Sequence, residues 1–107
     1  MGKIGYLELT LSVASEGDQY SALCEELGTA TYADTPEEAL RELHELVLLH
    51  LEGLRTTGER ERFFREHGIT IHPVPPVPTE RRYFLGGGRF PEIIPLAYPS
   101  ERPAQFA

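Results

Sequence analysis

The sequence predicts an α+β fold: a three- to four-stranded antiparallel sheet, in β-β-β-α order, with one long helix packed on one face. Three observations lead to it. Apolar and polar residues alternate over residues 5–13. Two further short strand-like runs follow, separated by turn residues. Thr35-Pro36-Glu37-Glu38 then opens an amphipathic helix. At 107 residues the chain can form one domain with a modest core.

The strands are marked by alternation and by turns. Within residues 5–13, one face carries Leu7, Leu9, Leu11 and Val13, as in a half-buried strand. Glu16-Gly17-Asp18 tolerates positive φ and predicts a hairpin to a strand over residues 19–25. Leu27-Gly28 turns the chain into a third strand over residues 29–34.

The helix predicted from Pro36 to about Leu54 has a clear start. A hydroxyl at Thr35, a proline after it and carboxylates in the first turn are typical of a helix N-terminus. At 100° per residue, an apolar stripe lies within about 60° of Leu43. Leu48 and Leu49 fall outside this stripe, on opposite flanks, so part of the helix is expected to meet something other than the sheet. The predicted core comprises Leu7, Leu9, Leu11, Val13, Leu40, Leu43 and Val47.

Charge and proline divide the rest of the chain near residue 72. A short helix over residues 59–67, anchored by Phe63 and Phe64, is expected to end at Gly68, and residues 69–71 could form a fourth strand. Residues 1–72 are therefore assigned to the α+β domain and 73–107 to an extended arm. The arm holds eight of the nine prolines. It carries more apolar side chains than a solvated linker, so we expect it to run over its own body or a neighbour's, pairing briefly as an edge strand.

Composition narrows the classes of function. A formal net charge of −7 disfavours a nucleic-acid-binding surface and suits a basic partner. One cysteine allows no internal disulfide and makes a reducing compartment the default. No stretch resembles a signal peptide or a membrane span. We therefore expect a cytoplasmic location and no interaction with a membrane.

The candidate chemical groups favour structural roles. His44 and His50 lie about 120° apart on the helix, and no spacing matches a zinc site, so no metal and no cofactor is predicted. His50 is expected to pack in the core with one hydrogen bond, and Cys24 to be a small buried hydrophobe. Gly86-Gly87-Gly88 is interpreted as a turn. A two-metal nuclease needs several converging carboxylates, and the first strand offers only Glu8, so no catalytic residue is assigned.

A set of short motifs, in one order and spacing, resembles the HicB-like antitoxin family of toxin–antitoxin systems over residues 7–52. Two positions depart from the family pattern: Glu25 stands where proline is usual, and His50 where an aromatic residue is usual. The motifs are Tyr20, Ala22, Cys24-Glu25-Glu26-Leu27-Gly28, Ala33-Asp34-Thr35, Glu37-Glu38-Ala39 and His50-Leu51-Glu52.

The resemblance implies a partial ribonuclease-H-like domain that dimerises and masks a small basic ribonuclease toxin. In the family a separate C-terminal module binds DNA, but the prolines after residue 72 exclude its uninterrupted helices, so no DNA binding is expected. The candidate partner-binding residues are Asp18, Glu25, Glu26, Glu37, Glu38, Glu42 and Glu45. The candidate self-association residues, for a homodimer or a dimer of dimers, are Leu48, Leu49, Tyr83, Phe84, Phe90, Ile93 and Ile94.

Two alternatives stay open. One is a non-catalytic structural or small-ligand-binding domain of the same fold with no toxin partner. The other, less favoured, is a metal-dependent nuclease.

Overall fold

The computed structural model describes residues 2–76, 82–84 and 87–99. These form a single antiparallel sheet in the order β3-β2-β1-β5-β4, with a long and a short helix. The α+β class is confirmed, and four of the five strands are longer than three residues. The elements are β1 (Gly2–Glu16), β2 (Gln19–Cys24), β3 (Thr29–Ala33), α1 (Pro36–Thr57), α2 (Arg60–Glu66), β4 (Arg82–Phe84) and β5 (Gly87–Pro99).

The core lies between α1 and one face of the sheet. The alternation read in β1 is confirmed, because Leu7 and Leu9 are fully buried while Glu8 between them is only half-buried. Helix α1 contributes Leu43, also fully buried, whereas the predicted core residue Leu40 is only partly buried at the margin. The full set of buried hydrophobic residues is Leu7, Leu9, Leu11, Val13, Ala22, Cys24, Leu27, Ala33, Ala39, Leu43, Val47, Leu51, Leu54, Phe64 and Ile94.

Local signals set both ends of the helices. The Thr35 hydroxyl accepts a hydrogen bond from the Glu38 backbone N–H at 3.1 Å, as expected of an N-cap. Helix α1 runs three residues past the predicted end and stops at Gly58, whose φ of 74° is left-handed. Helix α2 stops in the same way at Gly68, with φ 67°. There the Ile69 N–H donates to the Phe64 carbonyl at 2.8 Å, closing the last turn.

The fourth long strand is not the one proposed from residues 69–71. That segment makes one isolated bridge, in which the backbones of Tyr6 and His72 exchange hydrogen bonds of 2.9 and 2.8 Å. The strand beside β1 is instead β5, from the proline-rich arm. It pairs with β1 from Gly2↔Pro99 to Ala14↔Gly87, over its whole length of 13 residues. The expectation that the arm pairs only briefly is therefore wrong.

Proline spacing explains how β5 tolerates this pairing. Main-chain groups of successive residues point to opposite edges of a strand. Tyr6 and Thr10, the partners of Pro95 and Pro91, direct their main-chain groups away from β5: Tyr6 bonds to His72, and Thr10 accepts from Glu25 at 2.9 Å. Both prolines thus occupy non-hydrogen-bonded pairs, where the missing N–H removes no bond to β1.

Within the described ranges, neither helix is long and apolar enough to cross a membrane.

Candidate functional site

The fold brings three of the predicted acidic residues to one end of the sheet. Pairing of Tyr20 with Ala33 sets the β1–β2 turn beside the start of α1. Asp18 in that turn therefore lies at the same end as Glu37 and Glu38 in the first helical turn. Asp18 and Glu37 are exposed, while Glu38 is half-buried.

Glu25 and Glu26 lie at the opposite end and are already engaged within the chain. Glu25 accepts two hydrogen bonds from Arg89 of β5, at 2.9 and 2.8 Å, and this pairing raises the pKa of Arg89. Glu26 accepts from the backbone N–H of Thr10 at 2.7 Å and from its hydroxyl at 2.8 Å. These two carboxylates therefore hold the β2–β3 corner against β1 and β5.

Glu42 and Glu45 stand exposed on α1, away from the sheet. In the part of the chain that the structure describes, neither forms a salt bridge, and nor do Asp18 and Glu37. Of the predicted partner-binding residues, these four are the ones that are exposed and outside any salt bridge in the described residues, and they are called the acidic surface below.

The candidate self-association residues are scattered. Leu48 and Leu49 are 43% and 67% exposed. Ile94 is only 3% exposed within its own core, and Ile93 lies half-buried on the opposite face of β5. Phe90 is partly buried against the core. Tyr83 and Phe84 belong to β4, and their side chains lie outside the described residues.

A groove runs between α1 and β5 that the sequence did not reveal. The His44 imidazole of α1 and the Glu92 carboxylate of β5 are hydrogen-bonded between its two parts. One part encloses about 330 Å³ and the other about 350 Å³. The first is lined by Leu48, Leu51, Glu52, Arg55, Arg60, Ile94, Pro95 and Leu96. The second is lined by Val13, Tyr20, Pro36, Glu37, Leu40, Gly87 and Phe90.

The first part of the groove combines apolar walls with two guanidinium groups. Arg55 is bonded to Glu52 at 2.9 and 2.6 Å. Arg60 is 3% exposed, lies 3.7 Å from Glu61, and has its pKa lowered by burial. Glu52 lines the same part and already pairs with Arg55, so the lining suits a ligand with an apolar body and a small polar or anionic end.

Histidine and cysteine make packing contacts. His50, expected in the core, is only half-buried: its Nδ1 lies 2.9 Å from the Thr29 hydroxyl, and its ring meets Phe63 edge-on at 5.5 Å. The His67 ring stacks against the Phe63 ring, with the two centroids 4.0 Å apart. Cys24 is fully buried, and burial raises the pKa of its thiol, which disfavours the nucleophilic thiolate. Among the described residues, no three histidine, cysteine, aspartate or glutamate side chains could share a metal ion.

No protein-family model, curated protein or solved structure matches this chain. The likeness to HicB-like antitoxins therefore depends on the motifs of residues 7–52 alone.

The sequence contains signals for two contacts that were not predicted from it: the pairing of β5 with β1 and the contact of Arg89 with Glu25. Pro91, Pro95 and Pro99 recur every fourth residue, which places all three on one edge of a strand and is compatible with a paired strand. Arg89, two residues before this series, could then have been sought as a partner for an acidic corner. Nothing in the sequence indicated which corner.

Proposed function

We propose that this chain is a HicB-like antitoxin, or a relative of one, that acts by protein–protein contact and masks a small basic ribonuclease. The observation that carries the proposal is the acidic surface of Asp18, Glu37, Glu42 and Glu45. Its side chains are exposed and unpaired within the described residues, on a chain of net charge −7. Charge of this sign steers a basic partner and disfavours nucleic acid.

The rigidity of α1 supports this role. Its N-cap, its Gly58 stop and its buried Leu43 fix the helix on the sheet, so the backbone positions that carry the exposed carboxylates are set before a partner arrives. Preorganised groups lose less conformational entropy on binding. Glu25 and Glu26 are expected to contribute less than the sequence alone indicated, because Arg89 and Thr10 already engage them.

The direct test is co-expression with a small basic protein encoded beside this chain, followed by a pull-down and a ribonuclease assay. We expect co-purification that weakens as salt rises, and inhibition of the ribonuclease. Failure to co-purify at low salt would argue for the stand-alone domain instead.

A matched pair of variants tests the acidic surface itself. Glu45→Gln removes a charge from it, whereas Glu66→Gln removes an exposed charge from α2. Substitution of a rim charge mainly slows association, so Glu45→Gln should lower the association rate severalfold and Glu66→Gln should leave it near the parent value. Equal effects would mean that only the overall charge matters.

The groove between α1 and β5 favours a second candidate, a small-ligand-binding domain of the same fold. An apolar groove with Glu52, Arg55 and Arg60 at one end has the lining expected of a site for an amphipathic ligand with a polar or anionic end. Mass spectrometry of small molecules extracted from the purified protein tests this candidate. Recovery of a stoichiometric anionic ligand would support it, and extraction of none would count against it.

A further inference from the structure

The first part of the groove between α1 and β5 has apolar walls from both elements. Leu48 and Leu51 lie three residues apart on one face of α1. Ile94 and Leu96 lie two residues apart on one face of β5. Leu48 is 43% exposed and Leu96 only partly buried, so these walls keep apolar surface that a ligand can cover.

A buried cation stands at one end of these walls. Arg60 lines the first part of the groove and is 3% exposed. Burial lowers the pKa of its guanidinium, because the surroundings disfavour the charged form. An anion beside a buried cation offsets part of this desolvation cost. Since arginine has five N–H donors in a planar fork, Arg60 can bind a carboxylate and keep its neighbour Glu61, 3.7 Å away.

The charges along the groove give it a direction. Arg55 joins Arg60 in the first part, and its pair with Glu52 lies at the rim, where the two side chains are 55% and 57% exposed. The described lining of the second part contains Glu37 and no cationic side chain. A negative head group is therefore favoured in the first part and disfavoured in the second.

The hydrogen bond between His44 and Glu92 limits the length of the first part. Glu92 precedes Leu96 by four residues of β5, a distance of about 13 Å along a strand. An extended hydrocarbon chain advances about 1.3 Å per carbon, given single bonds of about 1.5 Å. The first part therefore has room for a chain of about ten carbons, and a longer one meets the two polar side chains.

We propose that the first part of the groove binds a medium-chain fatty acid, with its carboxylate at Arg60 and its chain along Leu48 and Ile94 as far as His44. This inference rests on the second candidate function, the small-ligand-binding domain, and names the class of ligand for that site. The volume of about 330 Å³ suits so small a ligand, because small-molecule sites range over roughly 300–1,000 Å³.

The length of the chain is tested by calorimetric titration of the full-length protein with hexanoate, octanoate, decanoate and dodecanoate at neutral pH. Up to decanoate, each added methylene should lower the dissociation constant about two- to fourfold, the larger factor applying to complete burial. Dodecanoate should gain little over decanoate. A steady gain through dodecanoate would overturn the assignment of the chain to the first part.

The head group is tested with 1-octanol and octylamine, which have the same chain as octanoate. Octanoate should bind about tenfold more tightly than 1-octanol, as expected of hydrogen bonds to a charged group, and octylamine should bind most weakly. Equal binding of all three would overturn the proposed fatty acid but keep the groove as a ligand site. Binding of none would overturn the proposal and count against the second candidate function as well.

A matched pair of variants tests the role of Arg60. Arg60→Gln should lower the ratio of octanoate to 1-octanol affinity about tenfold, whereas Arg65→Gln, which removes an exposed charge from the same helix, should leave the ratio unchanged. Equal ratios in the two variants would contradict the assignment of the carboxylate. If circular dichroism shows that Arg60→Gln does not fold, the comparison of head groups on the parent protein decides.

The limit set by His44 has its own variant. His44→Ala removes a side chain between the two parts of the groove, so the ratio of dodecanoate to octanoate affinity should rise as the longer chain reaches Phe90. An unchanged ratio would show that His44 does not end the site.

Discussion

The pairing of β5 with β1 can be tested with two neighbouring isoleucines. Ile94 is 3% exposed and faces α1 opposite Leu7, whereas Ile93 is half-buried on the other face, opposite Glu8. Ile94→Ala removes three carbons worth about 0.8 kcal/mol each on burial, plus a cavity cost, or about 3 kcal/mol in all. Ile93→Ala loses part of the same transfer free energy and leaves no enclosed cavity, so about 1 kcal/mol is expected.

Thermal and urea unfolding, followed by circular dichroism, measure this difference. For a domain near this size, about 3 kcal/mol lowers Tm by roughly 12 °C or more. Ile93→Ala should lower it by less than half as much. A one-residue slip exchanges the two faces of a strand. A larger effect at Ile93 would therefore show that the register is wrong, and two negligible effects would show that β5 does not dock on β1.

Three further perturbations have defined outcomes. Thr35→Ala removes the hydroxyl that caps α1 and should cost about 1 kcal/mol in urea unfolding, whereas Thr35→Ser should cost little. A side chain at Gly87 would place its Cβ 1.9 Å from the Val13 carbonyl oxygen, so Gly87→Ala should lower Tm, and an unchanged Tm would contradict the close approach of β5 to β1. Burial raises the folded-state pKa of Cys24 above its ordinary value, so the unfolded chain loses its thiol proton first. The contribution of the protonated thiol to the free energy of unfolding is fully present below about pH 8.5 and falls as the pH rises further. Cys24→Ala should abolish this pH-dependent loss.

The parts of the fold that could be predicted are those governed by neighbouring residues. The buried face of β1 follows from alternation, and the start of α1 follows from Thr35 and Pro36, because a hydroxyl and a missing N–H act within one turn. The end of α2 at Gly68 follows from the ease with which glycine adopts positive φ. Each of these signals needs no knowledge of the rest of the chain.

The candidate site was predicted less completely, because side-chain availability depends on distant partners. Glu25 and Glu45 look alike in sequence, yet Glu25 is bonded to Arg89, 64 residues away, whereas Glu45 forms no salt bridge among the described residues. Leu48 and Leu49 were correctly separated from the core stripe by helical periodicity. Only the position of β5 showed that Leu48 lines a groove, whereas Leu49 is largely exposed.

By itself, then, the sequence determined the α+β class, the first three strands and the long helix, through periodicity and capping that act over a few residues. The tertiary structure alone decided which segment completes the sheet. Residues 69–71 and β5 both have strand-like apolar residues, but only β5 is long enough to pair with β1 from Gly2 to Ala14 and bury Ile94. Its prolines exclude a helix without selecting a partner, because a strand's register is fixed by the surface that it covers.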